Sequence, residues 1–176
     1  MAFVGYPASG KSEVSAVASS LGIPVVNMGD AVREEVRRRG LPEYDEVVGK
    51  VANELRLKEG MDAIAKRCLP RIKEVLKRYE LVVVDGVRGI AEVELFRKEF
   101  SDSFFLVHID ATFSDRLERI RKRERPDRIF TDEELRNRDE REKKWGLEDA
   151  INSADFMIEN KSSLQEFKNK VKDFFI

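Results

Sequence analysis

The run Gly5-Tyr6-Pro7-Ala8-Ser9-Gly10-Lys11-Ser12 constrains the fold of this chain more than any other feature of it. It meets the spacing G-x-x-x-x-G-K-[ST] at every fixed position. Glycines let the backbone curl so that successive N–H groups face an anion. The lysine adds a mobile positive charge, and the serine hydroxyl can ligate Mg²⁺. Such a loop needs a strand leading in and a helix leading out. Ala2-Phe3-Val4 is a short apolar run, and Lys11 to Ala18 reads as a small-residue helix ended by Gly22. The sequence therefore points to a phosphate cradle whose arc is Gly5, Tyr6, Pro7, Ala8, Ser9 and Gly10, closed by Lys11 and Ser12. A flexible turn is the plainer alternative. Strands usually run about five or six residues, but this one has few residues in which to form. It is expected to be unusually short yet paired on both sides.

The rest of the chain alternates strand and helix. Ile23 to Asn27 is a second short strand, and Leu81-Val82-Val83-Val84-Asp85 is a continuous apolar run, as a strand buried on both faces requires. Ser103 to Asp110 and Asp155 to Glu159 complete a set of five. Capping-box or near-capping-box spacings at Thr112-x-x-Asp115, Thr131-x-x-Glu134 and Ser163-x-x-Glu166 open intervening helices. Such alternation argues for a parallel sheet covered by helices on both faces. Residues from about 30 to 79 break the rhythm. They read as helical throughout, punctuated by Gly40-Leu41-Pro42 and Gly60, with a kink expected at Pro70.

Composition bounds the function. A chain of 176 residues, 41% hydrophobic, suits one domain with an ample core, and 33 basic against 34 acidic residues leave a net charge of −1. Bulk charge thus makes no case for nucleic-acid or membrane binding. The single cysteine, Cys68, excludes an internal disulfide framework and fits a reducing compartment. With no signal peptide or long apolar run, a cytoplasmic location is expected.

Further chemistry sits at the strand ends. Asp85 closes four apolar residues in the form of a Walker-B strand, where a carboxylate lies near the Mg²⁺ of the loop. A cap or turn aspartate is the alternative. Residues 115 to 144 carry 22 charged side chains. On a helix from Thr112 to about Arg125, Phe113, Leu117 and Ile120 share one narrow apolar face, while Arg116, Arg119 and Arg123 lie together on an adjacent one. That helix is either an ion-paired surface element, a basic nucleic-acid patch, or the root of a lid that carries cations onto a reacting phosphate. The nucleic-acid reading lacks interleaved aromatic residues.

Several of these residues resemble adenylate kinases. Met28-Gly29-Asp30-Ala31-Val32-Arg33 is similar to their T-G-D-x-[LV]-R segment, and Asp85-Gly86-Val87-Arg88 to D-G-x-P-R, one residue shorter. Arg119 and Arg123 are spaced like the arginines flanking the lid of those enzymes, and Arg128 and Arg138 like the pair beyond it. The ending Ala154 to Asn160, followed by Ser-Ser-Leu-Gln-Glu-Phe, is closer to dephospho-coenzyme A kinases. Over nearly its whole length the chain resembles an archaeal family of adenylate-kinase-related P-loop proteins.

The resemblance implies an α/β P-loop NTPase fold of the nucleoside monophosphate kinase type. It implies a five-stranded parallel sheet of order 2-3-1-4-5, a single domain with core 1–29 and 80–176, a helical acceptor-binding insertion at about 30–79, and a short lid at about 124–135. It implies ATP and Mg²⁺ as cofactors and a small phosphorylated acceptor as partner. Lys11 and the loop amides, with Arg119 and Arg123, would hold the donor; Ser12 and Asp85 the metal; Asp30, Arg33, Arg88, Arg128 and Arg138 the acceptor. Lys11, Asp30, Arg88, Arg123 and Arg138 would carry catalysis. A guanidinium fork matches phosphate oxygens two at a time, although Arg33 lies in a helix charged nearly throughout and reads equally as a solvated face. After Arg88 the chain lacks the glutamine with which adenylate kinases read adenine, so AMP, another nucleotide and dephospho-coenzyme A all stay open. A nucleotide-dependent switch or slow ATPase acting with a protein or RNA partner is the competing class. Cys68 and His108 read as packing residues, and Trp145-Gly146 as a helix end.

Overall fold

The computed structural model describes residues 1–123 and 131–176; the side chains of Asp45 and Arg123 are excluded. Five strands form one parallel sheet: β1 (Ala2–Val4), β2 (Val25–Asn27), β3 (Val83–Asp85), β4 (Leu106–Asp110) and β5 (Phe156–Glu159), in the order β2-β3-β1-β4-β5. This is the order expected from the resemblance. β1 has three residues and is nevertheless central, paired with β3 on one side and β4 on the other. The bonds Val84 N to Met1 O (2.9 Å) and Ala2 N to Phe105 O (2.8 Å) extend that pairing at its start.

Burial on both faces explains the apolar runs. Ala2, Val4, Val82, Val84 and Leu106 face one core, and Phe3, Val83, Val107 and Ile109 the other, the two-residue alternation of a strand. The first core is covered by α2 (Met28–Arg38), α3 (Asp45–Glu59), α4 (Ala63–Leu76), α5 (Ile90–Phe100) and α8 (Leu147–Asn152). The second is covered by α1 (Lys11–Ser20) and α9 (Leu164–Phe175), through Val14, Phe167 and Val171. The chain between β2 and β3 is thus three helices, broken at Gly40 to Tyr44 and at Gly60, as anticipated; α4 continues through Pro70.

Strand ends differ from expectation where backbone donors are missing or otherwise engaged. Pro24 has no N–H, and β2 begins only at Val25. β4 begins at Leu106 because Ser101–Ser103 forms a 3₁₀ turn entered at a positive φ of 46°. Asp155 stands outside β5, where its carboxylate accepts from Leu106 N at 2.7 Å. The helix α6 (Phe113–Arg123) and the helix α7 (Asp132–Lys143) flank residues 124–130. α7 opens with a reciprocal Thr131–Glu134 capping box, and Leu135 is fully buried against Leu117 and Ile120. Of the segment 124–135 expected as a lid, residues 131–135 therefore belong to a capped, packed helix start, and 124–130 lie outside the described residues. No helix among the described residues is long and apolar enough to cross a membrane.

Candidate active site

Parallel register brings the chemistry-bearing residues to one edge of the sheet. Val4 delivers Gly5, Asn27 delivers α2, and Asp85, which pairs with Asn27, delivers the segment to Arg88. The loop after β1 folds as a cradle. Gly10 caps α1 at φ 116° with no side chain accepting from the first turn. Beyond the bond from Ser9 N to Tyr6 O (3.1 Å), the amides of Ala8, Gly10, Lys11 and Ser12 meet no acceptor among the described residues. Open N–H groups at a helix start, aided by the helix dipole, make an anion site. Two glycines are required sterically. A Cβ at Gly5 would lie 2.6 Å from Ile109 O, and one at Gly10 2.4 Å from Asn160 Nδ2. Ala8 holds a left-handed φ of 63°, a local cost that the surroundings must offset.

Those surroundings grip the loop from behind. Asn160 Nδ2 donates to Ser9 O at 2.8 Å. Arg119 donates to Asn160 O at 2.6 Å and to Ser9 O at 3.4 Å. Arg116, buried, donates to Pro7 O at 3.2 Å and makes a two-pronged pair with Asp139 at 2.9 and 2.7 Å. Its guanidinium also lies over the rings of Tyr6 (4.9 Å) and Phe113 (5.4 Å). Tyr6 OH donates to Glu148 Oε1 at 2.8 Å; burial first, then Glu148, pushes this phenol up to about 12. The helix face singled out in the sequence thus divides. Arg116 and Arg119 support the cradle, Arg123 ends α6 with its side chain outside the described residues, and Arg128 is outside them altogether.

Lys11 folds back onto the loop, its Nζ donating to Gly5 O and, at 3.0 Å, to Tyr6 O. Burial, and next the Arg88 guanidinium, push its ammonium down to about 7, against Glu142 and Asp85, which favour the charge. Asp85 and the Ser12 hydroxyl have no hydrogen-bond or ion-pair partner among the described residues. Both are therefore available to a cation. No group of three or more His, Cys, Asp or Glu among the described residues could hold a metal alone, so Mg²⁺ would fit here with phosphate oxygens completing its shell.

Arg88 and Arg138, both singled out in the sequence, meet at a residue that was not. Glu142 Oε1 accepts from Arg88 Nη1 at 2.9 Å and lies 4.0 Å from Arg138 Nε. Glu92, also missed, is buried; its Oε2 accepts from the Arg88 backbone N–H at 2.6 Å, and burial raises its carboxyl above the usual range. Arg33 and Asp30 stand together at 3.7 Å, both half-exposed; no hydrogen bond or ion pair among the described residues joins them to Arg88 or Lys11. Cys68 is buried and pushed up to about 12 by burial, and His108 is pulled down by burial within β4. No hydrogen bond or ion pair among the described residues joins either to the cradle.

Comparisons with known proteins agree with this fold. Residues 4–136 match the model of a family described as "AAA domain". The whole chain is 54% identical to the UPF0200/UPF0201 protein of Archaeoglobus fulgidus, of which it spans about half (54%). It is 52% identical over 171 residues to a UPF0200 protein of Methanosarcina barkeri, covering 97% of this chain and 91% of that one. Among solved structures, a shikimate kinase from Aquifex aeolicus superposes with TM-score 0.52 at 25% identity, covering 97% of this chain and 92% of its own. A dephospho-CoA kinase from Campylobacter jejuni gives 0.59 at 16%, covering 99% and 94%. A gluconokinase from Sinorhizobium meliloti gives 0.58 at 19%, covering 98% and 88%.

Proposed function

Because the chain belongs to the P-loop family described as "AAA domain" and to the UPF0200 proteins, we propose that it is an ATP-dependent phosphotransferase acting on a small phosphorylated acceptor. One observation carries this reading. Lys11 of the cradle feels the charges of Arg88 and Arg138, which arrive from other elements and meet at Glu142. A loop that only bound nucleotide would need no such convergence. Phosphoryl transfer does, because charge spreads over the equatorial oxygens of the moving group.

In this reading the amides of Ala8, Gly10, Lys11 and Ser12 hold the donor phosphates. Ser12 and Asp85 hold Mg²⁺, which neutralises charge on those phosphates. Asp30 and Arg33 on α2 orient the acceptor, and Arg88 and Arg138 take its phosphate and the developing charge. An acceptor oxygen bonds to the γ-phosphorus as the bridge to the β-phosphate breaks, and ADP leaves. Residues 30–79 serve as the acceptor-binding insertion of a core formed by 1–29 and 80–176, and the lid expected at about 124–135, with Arg123 and Arg128, is confined to residues before Thr131, because 131–135 start the packed helix α7. The structural neighbours named kinases support the class. AMP, other nucleotides and dephospho-coenzyme A are the acceptors to try.

A nucleotide-dependent switch acting with a protein is the second reading. It is favoured by the Archaeoglobus relative, whose matching part is joined to a further stretch of similar length under a double name. A calorimetric titration with MgATP followed by a coupled ADP-release assay across an acceptor panel, with an acceptor-free control, separates the two. The kinase reading expects MgATP binding and at least one acceptor that raises turnover. Binding with turnover that no acceptor raises favours the switch.

A further inference from the structure

Arg56, on α3, is one of the buried charged residues among those described, its side chain 7% exposed. It donates no hydrogen bond to any of them. Its guanidinium lies 4.6 Å over the ring of Trp145, at the α7–α8 corner, and its Nη2 is 3.8 Å from Glu92 Oε1, beyond hydrogen bonding. Glu92 Oε1 is itself buried with no donor, as is Glu142 Oε2. A buried guanidinium left short of acceptors is costly, and a pair serving only to join helices would have closed that gap.

The pair stays open because each partner is fixed from elsewhere. The other oxygen of Glu92 is held by the Arg88 backbone, and the flat face of Arg56 is held by the indole. One carboxylate therefore separates Arg56 from Arg88. The two guanidiniums repel: Arg88 is among the groups that, after burial, lower the proton affinity of Arg56. Among the described residues Arg88 commits only Nη1, to Glu142, and its side chain is 33% exposed, so its remaining donors are open to those residues. Arg138 flanks the same Glu142. Three guanidiniums thus converge on two carboxylates, and Arg56 is left with one long ion pair, to Glu92. An anion with several oxygens is what completes such a cluster.

The geometry points to Arg56 as an acceptor-binding residue that, with Arg88, clamps the anionic group of the acceptor, a phosphate, against the Trp145 corner. This rests on the phosphotransferase reading. It adds to it a residue from the middle of the helical insertion, so that the anion would bridge α3 to the β3–α5 turn and to α7.

Trp145 is the only tryptophan of the chain, so its emission reports on the face of Arg56. With MgAMP-PNP held saturating to fill the cradle, the protein is titrated with inorganic phosphate, and separately with chloride at matched ionic strength. Tryptophan emission and calorimetry are read together. Wild type is expected to give a saturable response to phosphate and none to chloride. Arg56→Met is expected to weaken phosphate binding by about tenfold or more, the size of losing one charge-assisted contact. Arg56→Lys keeps the charge but not the fork, and is expected to fall between them with wild-type thermal unfolding. No saturable phosphate response in wild type, or wild-type phosphate affinity in a folded Arg56→Lys and Arg56→Met, overturns the assignment. Failure of MgAMP-PNP to bind would instead count against the phosphotransferase reading, and the same titration without nucleotide would still decide the role of Arg56.

Discussion

Removing the carboxylate of Asp139 should unfasten the phosphate loop from the helices behind it. Arg116 and Asp139 are almost fully buried, with side-chain exposures of 5% and 10%, and meet through two hydrogen bonds. Arg116 spends a third donor on Pro7 O. In Asp139→Ala the guanidinium stays buried without its counter-ion, and breaking a buried pair from one side costs about 3–5 kcal/mol. For a domain of this size each kcal/mol is worth roughly 2–4 °C, so the midpoint of thermal unfolding should drop by roughly 6–20 °C. Urea denaturation gives the free energy and differential scanning calorimetry the midpoint. MgATP affinity should fall as well, because the Pro7 carbonyl loses a fixed donor. Asp139→Asn keeps one acceptor and should sit between the two. A loss below about 1 kcal/mol in Asp139→Ala would place the pair with exposed surface bridges and refute the claim that α7 holds the cradle.

Other expectations follow from the same contacts. Lys11, depressed to about 7 when free, must be charged against phosphate, so MgATP binding should take up close to one proton at pH 8–9. Calorimetry in buffers of differing ionisation enthalpy reads that uptake, and none at pH 8.5 would rule out the buried, depressed lysine. By linkage the unfolded chain holds more protons than the folded one between about 7 and 10.5. The Lys11 contribution to stability therefore rises with pH across that window, and Lys11→Met should gain more over wild type at pH 6 than at pH 9, measured by urea denaturation. Gly10→Ala puts a Cβ 2.4 Å from Asn160 Nδ2 at φ 116°; thermal unfolding should show a loss of about 1–3 kcal/mol, and an unchanged midpoint would mean the loop shifts freely. Arg33→Ala should raise the KM of whichever acceptor is found and lower the ratio of transfer to hydrolysis; an unchanged ratio makes Arg33 a surface charge.

How much of this was legible in the sequence depended on whether a residue carried a periodic or a motif signal. The sheet was legible because strands buried on both faces must be largely apolar, as Val82 to Val84 are throughout and as Leu106, Val107 and Ile109 are around His108. The cradle was legible because steric demands at Gly5 and Gly10 admit little else. Charged residues gave no such signal in a chain that is 38% charged. Leu135, Asp139 and Glu142 recur at helical spacing and form the buried stripe of α7, but two of the three are acids, so the stripe reads as solvent-facing. Arg56 offered a clue that was passed over: it lies four residues after Ala52 and eight after Val48, on the apolar face of α3 that includes Val51 and Leu55. A charge on an apolar face needs a partner, and its partners, Glu92 and Trp145, are far away in the chain.

The most direct test follows the phosphoryl group itself. Protein incubated with Mg²⁺ and ATP labelled at the γ-position, with AMP, other nucleoside monophosphates and dephospho-coenzyme A supplied one at a time, is resolved chromatographically for labelled products. The account predicts label on one such acceptor in amounts matching the ADP formed, and loss of that transfer in Arg88→Ala. Label appearing solely as inorganic phosphate, at one rate whichever acceptor is present, would contradict it.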